Sequence, residues 1–208
     1  MKLYQFAYSP YAAKARKVLE LKGLAYECIE VPYLDRREVV RLTNQVVVPV
    51  LVDGDRAIHD SPAITAYLDD RYSPNLRPGV AAAIESWSDT TLEDVAFRIA
   101  SPAVEPKIAA LNGDREDARA MYRFVKERKF GAGCIDAWAR DQAQLTARLC
   151  TLVASLHPSP FLLGDKPTLA DAAVYGNFWM LEWAMPGWVW REVPHLADWY
   201  ALIERTGA

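Results

Sequence analysis

The sequence predicts an α/β domain of order β-α-β-α-β-β-α followed by an all-helical domain. Short strand-like segments alternate with helical patterns over roughly the first 70 residues, which is typical of an α/β unit. Turn-forming residues then cluster between positions 72 and 79, and no strand pattern follows them. We therefore assign residues 1–74 to the first domain and residues 80–208 to the second.

Hydrophobic periodicity predicts the elements of the first domain. Alanine and aliphatic residues recur at helical spacing after Pro10, and Gly23 stands where that helix would stop. A second, charged helix and a third, amphipathic helix follow from the same criteria. The predicted elements are strands at residues 2–7, 25–31, 48–52 and near residue 57, and helices at residues 10–22, 35–43 and 61–71.

The second domain is predicted to contain helices only. From Val80 onward the composition favours helix, and the breaks are expected at proline and glycine residues. These breaks fall at Pro102 and Pro106, at residues 112–113, at residues 131–133 and at residues 158–160. Neither domain shows an internal repeat or a low-complexity tract.

The charge balance and the hydropathy pattern exclude several function classes. The chain has 24 basic and 27 acidic residues, a formal net charge of -3, which does not favour a general nucleic-acid binder. Its longest apolar run, at residues 46–52, is much shorter than the roughly 20 residues that a membrane-spanning helix needs. The first residues lack the pattern of a secretion signal. We expect a cytoplasmic protein that binds neither nucleic acid nor membrane.

The cysteines and histidines predict neither a disulfide framework nor a metal centre. Three cysteines are an odd number, and wide spacing separates them from one another and from the three histidines. A reducing compartment suits such thiols. The residues concerned are Cys28, Cys134 and Cys150, and His59, His157 and His195.

The turn after the first strand places a hydroxyl group at the start of a helix. Ser9 is predicted to be the N-cap, with Pro10 at the first helical position. A helix N-terminus offers unpaired N–H groups and a partial positive charge, which favour a bound thiolate over a thiol. Ser9 is therefore a candidate for stabilising a thiolate, although capping alone would account for it equally well.

A second candidate turn contains Pro49, at the beginning of a β-rich run. Proline cannot donate a hydrogen bond to a strand ladder, and a trans proline at a sheet edge is the interpretation that the residues alone favour. The alternative is a cis Val48–Pro49 bond. It would turn the backbone of Val48 outward, where it could pair with an extended, peptide-like ligand.

A third candidate turn is Asp60-Ser61-Pro62, another strand-to-helix junction. Two cap-forming side chains directly before a proline make a good helix start. The N–H groups of such a start suit a carboxylate, and Asp60 can accept a hydrogen bond from an ammonium group. Together Asp60 and Ser61 could hold the head group of an amino acid.

Four segments, in this order along the chain, resemble the glutathione transferase family. They are Ser9-Pro10-Tyr11 with Leu21-Lys22-Gly23, Val48-Pro49-Val50-Leu51 with Asp53-Gly54-Asp55, Asp60-Ser61-Pro62-Ala63-Ile64, and Gly164-Asp165-Lys166-Pro167-Thr168-Leu169-Ala170-Asp171. In the last segment Thr168 would cap a helix, and Asp171 would reach back to the N–H of the cap residue. The resemblance implies a thioredoxin-like first domain and a helical second domain.

The resemblance also implies glutathione as co-substrate and gives the three turns their roles. Ser9 would contact the glutathione sulfur, with Tyr4 and Tyr8 from the same region as lower-ranked alternatives. The backbone of Val48, before Pro49, would bind the cysteinyl part of glutathione. Asp60 and Ser61 would bind its γ-glutamyl end. The family is usually homodimeric, which makes residues 80–84 and the helix after them candidate interface elements.

An acceptor pocket for a small hydrophobic electrophile is implied between the two domains. Trp179 and Trp183, one helical turn apart, are assigned to the core rather than to this pocket. Two further tryptophans fall in a loop-like stretch and could line a cleft. The predicted pocket residues are Tyr8, Tyr11, Trp188 and Trp190.

Departures from the family pattern narrow the function. The run from Ser9 to Ala12 lacks the cysteines of glutaredoxin-like relatives, which disfavours dithiol exchange. Val47 stands where the family usually has Lys or Gln for the glycyl carboxylate, and Asp60 is shorter than the more frequent Glu. Glutathione is therefore predicted to bind weakly or through other side chains.

A basic stripe on one helix of the second domain is interpreted as a solvated face. The alternatives are a dimer contact or attraction for an anionic substrate. The stripe consists of Arg115, Arg119 and Arg123, with Lys126, Arg128 and Lys129 continuing the basic run.

The leading prediction is an enzyme that lowers the pKa of the glutathione thiol beside Ser9 and directs the thiolate onto an electrophilic carbon. A glutathione-dependent lyase, isomerase or peroxidase is a close variant. The rival is a non-catalytic binding or regulatory scaffold, because a fold does not determine a function. A carrier for apolar molecules rests only on the tryptophan content.

Overall fold

A four-stranded mixed sheet organises the first domain. The computed structural model describes residues 1–207, and its strands are β1 (Lys2–Gln5), β2 (Glu27–Glu30), β3 (Val50–Asp53) and β4 (Arg56–His59). They lie in the order β2-β1-β3-β4. Strand β2 is parallel to β1, whereas β3 is antiparallel to both β1 and β4. The parallel pair requires a crossover, which the first helix supplies.

Three helices complete this domain: α1 (Pro10–Leu21), α2 (Arg37–Thr43) and α3 (Ser61–Arg71). The predicted order β-α-β-α-β-β-α is confirmed. Strand β1 ends earlier than predicted because the N–H of Ser9 donates to the carbonyl of Phe6 (2.9 Å), which turns the chain into α1. Helix α2 begins later than predicted, since the carboxylate of Asp35 accepts from the N–H of Arg37 (3.1 Å) from outside the helix.

Helices form the second domain, as predicted. The breaks expected at residues 112–113 and 131–133 separate its longer helices. Within residues 1–207, no helix has both the length and the apolar character needed to cross a membrane. The helices are α4 (Ala81–Trp87), α5 (Glu93–Leu111), α6 (Glu116–Phe130), α7 (Cys134–Arg140), α8 (Gln142–Val153), α9 (Leu169–Ala184), α10 (Trp188–Glu192) and α11 (Ala197–Arg205), with a π-helical turn at Ser88–Leu92 and a 3₁₀ turn at Pro194–Leu196.

The breaks predicted at Pro102 and Pro106 are wrong, because α5 continues through both prolines. An interior proline removes a helical N–H and costs about 3 kcal/mol in a helix that nothing else supports. Tertiary packing offsets this cost in α5. Its buried face carries Ile99, Val104 and Ile108, all of which belong to the core of the second domain.

Helix α1 joins the two domains by packing against α9. Gly176 permits this approach, since a Cβ atom there would lie 2.3 Å from the carbonyl oxygen of Pro10. Lys14 is 1% exposed, and its ammonium group forms salt bridges with Glu85 of α4 (3.0 Å) and with Asp89 in the π-helical turn. These contacts hold the N-terminal end of α1 against the second domain.

The capping segment at the start of α9 has a structural role. One oxygen of the buried Asp171 carboxylate accepts from the N–H of Thr168 (2.8 Å), which confirms the predicted contact. The other accepts from the N–H of Leu162 (2.8 Å) and from the indole Nε1 of Trp199 (2.9 Å). This carboxylate therefore fastens the preceding loop and α11 to the first turn of α9.

Candidate active site

A cleft of about 240 Å³ lies between the two domains. The turn after β1 forms one wall and contributes Tyr8, Ser9 and Tyr11, while α5 and α6 form the other and contribute Glu93 and Lys126. A neighbouring cavity of about 430 Å³ shares part of its aromatic lining with this cleft. The smaller cleft is the better candidate for chemistry, because it contains the start of α1 with its unpaired N–H groups.

Ser9 is the N-cap of α1, as predicted. Its Oγ accepts from the N–H of Ala12 (3.3 Å), and Pro10 occupies the first helical position. Accepting this bond uses a lone pair of the oxygen and leaves the hydroxyl proton free for another acceptor. The structural and chemical interpretations of Ser9 are therefore compatible, and the hydroxyl lies in the lining of the cleft.

The two tyrosine alternatives lie in different places. Tyr4 is buried in β1 and does not line the cleft. Tyr8 does line it, and its ring packs against Phe6 and Trp183, with ring centroids 5.5 Å apart in both pairs. Burial raises the pKa of the Tyr8 phenol well above its usual value, so Tyr8 stays protonated and can only donate or accept a neutral hydrogen bond.

The Val48–Pro49 peptide bond is cis. The trans interpretation favoured by the residues alone is therefore wrong, and the family pattern of a cis-proline holds. Val48 lines the cleft, and its backbone N–H and carbonyl make no protein hydrogen bond within the described residues. An extended ligand therefore finds a free donor and a free acceptor at Val48.

Asp60 and Ser61 lie next to this proline, on the neighbouring strand end. The pairing of Val50 with His59 brings the residue before β3 close to the residue after β4. Asp60 has a φ of 72° and does not cap α3 with its side chain, contrary to the expected capping role. Ser61 is 2% exposed, and its hydroxyl has no hydrogen-bond partner among residues 1–207. The Asp60 carboxylate is thus left free by α3.

Arg36, immediately before α2, is a cleft residue that the sequence analysis missed. Its guanidinium carbon lies 4.7 Å from the ring centroid of Tyr33. The guanidinium N–H groups donate to the carbonyls of Tyr33 (3.3 Å) and Val46 (2.7 Å). No carboxylate lies within salt-bridge distance of it in the described part of the chain. Arg36 therefore brings an unpaired positive charge beside Val47, the position at which this chain lacks the Lys or Gln of the family pattern.

Two ionisable side chains from the second domain face this cleft. Burial raises the pKa of the Glu93 carboxyl to about 7, and burial lowers the pKa of the Lys126 ammonium to about 8. Lys126 belongs to the basic run that was predicted to be solvated. A signal was available, because Ala118 and Tyr122, both buried, precede Lys126 at successive intervals of four residues and mark the inward face of α6.

The solvated-face interpretation is also wrong for part of the arginine stripe. The Nε atoms of Arg119 and Arg123 lie 2.9 Å and 3.3 Å from Oε1 of Glu105, which is 6% exposed. Arg123 also pairs with Asp136 of α7 (2.8 Å). These arginines join α6 to α5 and α7, because the buried Glu105 carboxylate needs cationic partners.

Trp188 and Trp190 do not line the cleft, in contrast to the prediction. They belong to the short helix α10, which begins directly after a glycine with a φ of 73°. Trp190 packs against Phe178 and Tyr200, with ring-centroid distances of 5.7 Å and 4.5 Å. Because α10 folds back on α9, both indoles pack on the core of the second domain.

Trp179 and Trp183 are partly buried between the domains rather than fully in the core. The indole Nε1 of Trp179 donates to the carbonyl of Ala7 (2.8 Å), and Trp183 packs on Tyr8. No group of three His, Cys, Asp or Glu side chains among the described residues is placed to hold a metal ion.

The comparisons with known proteins agree with this geometry. The family model of the glutathione S-transferase N-terminal domain matches residues 3–76, and that of the C-terminal domain matches residues 135–202. Glutathione S-transferase 4 of Zea mays is 31% identical over 217 residues, which cover 100% of this chain and 90% of that protein. The chain belongs to the glutathione S-transferase family.

Other glutathione S-transferase family relatives carry different names. Glutathione S-transferase Z2 of Arabidopsis thaliana is 43% identical over 83 residues, which span 38% of this chain and only 37% of that protein. Maleylpyruvate isomerase of a Ralstonia species is 29% identical over 181 residues, which span 82% of this chain and 77% of that protein. The relatives of this chain therefore include transferases and an isomerase.

A solved structure confirms the thioredoxin-like and helical architecture. It is a glutathione S-transferase of Ceriporiopsis subvermispora in complex with glutathione. It superposes on this chain with a TM-score of 0.76 at 21% identity, covering 100% of this chain and 97% of that chain.

Proposed function

We propose that this protein is a glutathione transferase that ionises the thiol of glutathione beside Ser9 and directs the thiolate onto an electrophilic carbon of a small hydrophobic acceptor. The position of Ser9 carries the proposal, because its hydroxyl caps α1 in the lining of the cleft between the domains. Membership of the family supplies the ligand, and the Ceriporiopsis relative was solved with glutathione.

Two effects at Ser9 stabilise a thiolate. A hydrogen bond from its hydroxyl to a charged group contributes about 1.5–3 kcal/mol, and a helix N-terminus adds about 0.3–1 kcal/mol. One pKa unit corresponds to about 1.4 kcal/mol. Together these effects lower a thiol pKa from about 8.5 to roughly 6–7, so that most of the bound glutathione is thiolate at neutral pH.

The rest of glutathione has matching groups around the turn. The unpaired N–H and carbonyl of Val48 suit the cysteinyl peptide unit, since glutathione is itself an extended peptide. At the start of α3, the carboxylate of Asp60 suits the γ-glutamyl ammonium group, and the unpartnered hydroxyl of Ser61 suits its carboxylate.

Arg36 supplies the cation that Val47 does not. Both residues line the cleft, and the guanidinium group already donates to the carbonyl of Val46. A guanidinium group pairs well with a carboxylate, and Arg36 has no carboxylate partner within the described residues. We assign the glycyl carboxylate of glutathione to Arg36. This contact replaces the one missing at Val47, from which weak binding of glutathione was predicted.

The chemical step needs no covalent bond to the protein. The thiolate sulfur attacks the electrophilic carbon, a carbon–sulfur bond forms, and the displaced group leaves with its bonding electron pair. Reversible addition to a double bond followed by loss of glutathione would instead give an isomerase, as the Ralstonia relative is named. The ionisable pair Glu93 and Lys126 in the cleft favours keeping this second candidate.

The binding-scaffold alternative and the homodimer remain predictions. A scaffold needs no activated thiol, so it differs from the enzyme in one measurable property. In the homodimer prediction, residues 80–84 take part in the interface, and Val80 is 58% exposed in this single chain. Sedimentation of the wild type and of Val80→Asp compares the two oligomeric states directly.

A pH titration of bound glutathione, followed by the ultraviolet absorbance of the thiolate, tests the proposal. We expect a thiol pKa roughly two units below the free value in the wild type, and a value close to that of free glutathione in Ser9→Ala. Ser86→Ala, which removes an exposed hydroxyl outside the cleft, is the matched control. Bound glutathione with an unshifted thiol would support the scaffold instead.

A further inference from the structure

The helical wall of the cleft contains an ammonium group without a partner. Lys126 lines the cleft from α6, and its Nζ lies 4.7 Å from the ring centroid of Phe97 and 4.8 Å from that of Tyr122. Over residues 1–207 this ammonium group makes no salt bridge. It differs in this respect from Arg119 and Arg123 on the same helix, which bind Glu105.

Helix periodicity places Lys126 on the inward face of α6. Ala118 and Tyr122 are 0% and 1% exposed, and Lys126 continues their row by one more turn. The ammonium group lies over the faces of Phe97 and Tyr122, and all three residues line the cleft. A cation held in this way costs desolvation energy that a bound anion would recover.

The groups around Lys126 leave the cleft positive at neutral or slightly acidic pH. Glu93 of α5 lines the same cleft and forms no salt bridge with Lys126, so it does not neutralise this cation at contact distance. With its pKa raised to about 7, Glu93 is largely uncharged below that pH. The titratable and charged groups that act on Lys126 are Glu93 of α5, Lys129 of α6, Cys134 of α7 and Arg36 before α2.

We propose that Lys126 is the recognition residue for the acceptor, and that the acceptor carries a carboxylate on an apolar or aromatic body. Phe97 and Tyr122 would contact the apolar body while the ammonium group binds the carboxylate. This inference rests on the proposed function, since it concerns the second ligand of the same cleft. It narrows the acceptor from any hydrophobic electrophile to an organic acid.

Binding of an unreactive pair of ligands tests the inference without any thiol chemistry. The probes are 3-nitrobenzoate and its neutral isostere 3-nitrobenzamide, titrated calorimetrically near pH 6.5 into the full chain. We expect the wild type to bind the acid at least roughly tenfold more tightly than the amide, the low end for a hydrogen bond to a charged group. Lys126→Met should remove this preference and leave the amide affinity within about twofold.

Two further variants separate recognition from folding. Lys126→Arg keeps a cation on the inward face and should keep the preference for the acid. Arg128→Met removes an exposed cation from the same helix and should leave both affinities unchanged. Thermal unfolding of each variant shows whether it is folded at the temperature of the titration.

The pH dependence adds a second readout with a fixed sign. The preference for the acid should weaken as pH rises from about 6.5 to about 8.5, because Glu93 becomes negative and Lys126 loses its proton across this range. In Glu93→Gln the part of the loss that follows ionisation of Glu93 near pH 7 should disappear, and only the part caused by deprotonation of Lys126 should remain. Equal affinities of the wild type for acid and amide, or equal effects of Lys126→Met on both probes, would overturn the inference.

Turnover links the inference to the proposed reaction. With glutathione present, 4-chloro-3-nitrobenzoate and 4-chloro-3-nitrobenzamide form a carbon–sulfur bond while chloride leaves with the electron pair of the carbon–chlorine bond. The readout is the effect of Lys126→Met on each KM, expected to be roughly tenfold for the acid and below about twofold for the amide. A failed thiol titration with intact selective binding would reject the transferase and keep the carboxylate site.

Discussion

The two walls of the cleft are encoded in different ways. On the first domain, Ser9, Val48 and Asp60 each stand at a junction between a strand and its neighbouring segment, and they offer a capping hydroxyl, a backbone and a carboxylate respectively. On the second domain, Glu93 and Lys126 come from separate helices and offer side-chain charges. Apart from Arg36, the wall assigned to glutathione is therefore predictable from local sequence, whereas the wall assigned to the acceptor depends on packing.

Under the proposed function, this difference separates the groups that bind glutathione from those that bind the acceptor. Turn and cap geometry depends on a few neighbouring residues, so a substitution at such a turn changes both the local backbone and the groups that it offers. A side chain on an inward helix face can be exchanged at lower cost, because the helix forms without it. In this chain, the inward face of α6 carries a charged residue, Lys126.

Separating the two walls has the largest expected effect. Lys14→Met would leave the partly buried Asp89 without a counterion, and Glu85 with only a long ion pair to Arg77 (3.8 Å) and a hydrogen bond from Thr65 (3.0 Å). Breaking such a buried pair costs about 3–5 kcal/mol in the free energy of unfolding. Urea unfolding followed by tryptophan fluorescence measures the loss. Lys2→Met, at an exposed position of β1, should cost less than about 0.5 kcal/mol; similar losses would contradict the role of Lys14.

Removing the hydroxyl group of the first wall should mainly affect the reaction. Ser9→Ala loses the proposed donor to the thiolate, and we expect kcat/KM for conjugation to fall about 100-fold. The same change removes a helix cap and should cost only about 1 kcal/mol of stability. Steady-state kinetics and thermal unfolding of Ser9→Ala and of the control Ser86→Ala measure both. A fall in activity no greater than the fall in folded fraction would argue against the catalytic assignment.

The acceptor wall should make stability depend on pH. Between about pH 4.5 and pH 7, the folded chain keeps a proton on Glu93 that the unfolded chain releases, so the free energy of unfolding falls as pH rises. Glu93 is half-buried, and after solvent screening we expect a fall of about 1–2 kcal/mol. Glu93→Gln should flatten this slope, and Glu116→Gln, at an exposed carboxylate, should not. Urea unfolding at about pH 5 and about pH 8 compares the slopes.

The smallest effect is expected away from both walls. Trp190→Phe alters the core beside Tyr200, and kcat/KM should stay within about twofold of the wild type. Trp183→Phe, which alters the ring against Tyr8, should change the KM of the acceptor more. A stronger effect of Trp190→Phe on acceptor KM would restore the predicted place of that indole in the pocket.

Sequence reasoning succeeded where a few neighbouring residues decide the outcome. The order of the first seven elements, the cap at Ser9 and the contact between Asp171 and Thr168 are local and were predicted. It failed where distant segments decide. Burial of one helix face carries α5 through Pro102, and the fold of α10 on α9 draws Trp190 away from the cleft.

The chain's own residue order determined the two-domain architecture, the three turns and the family to which they belong, because caps, turns and periodicity are interactions between near neighbours. The tertiary structure alone decided that Arg36 stands beside Val47 and that the inward face of α6, with Lys126, borders a cleft shared with the first domain. A charge becomes a recognition element only through what surrounds it. Those surroundings come from helices and loops far apart along the chain, which meet only when the domains pack.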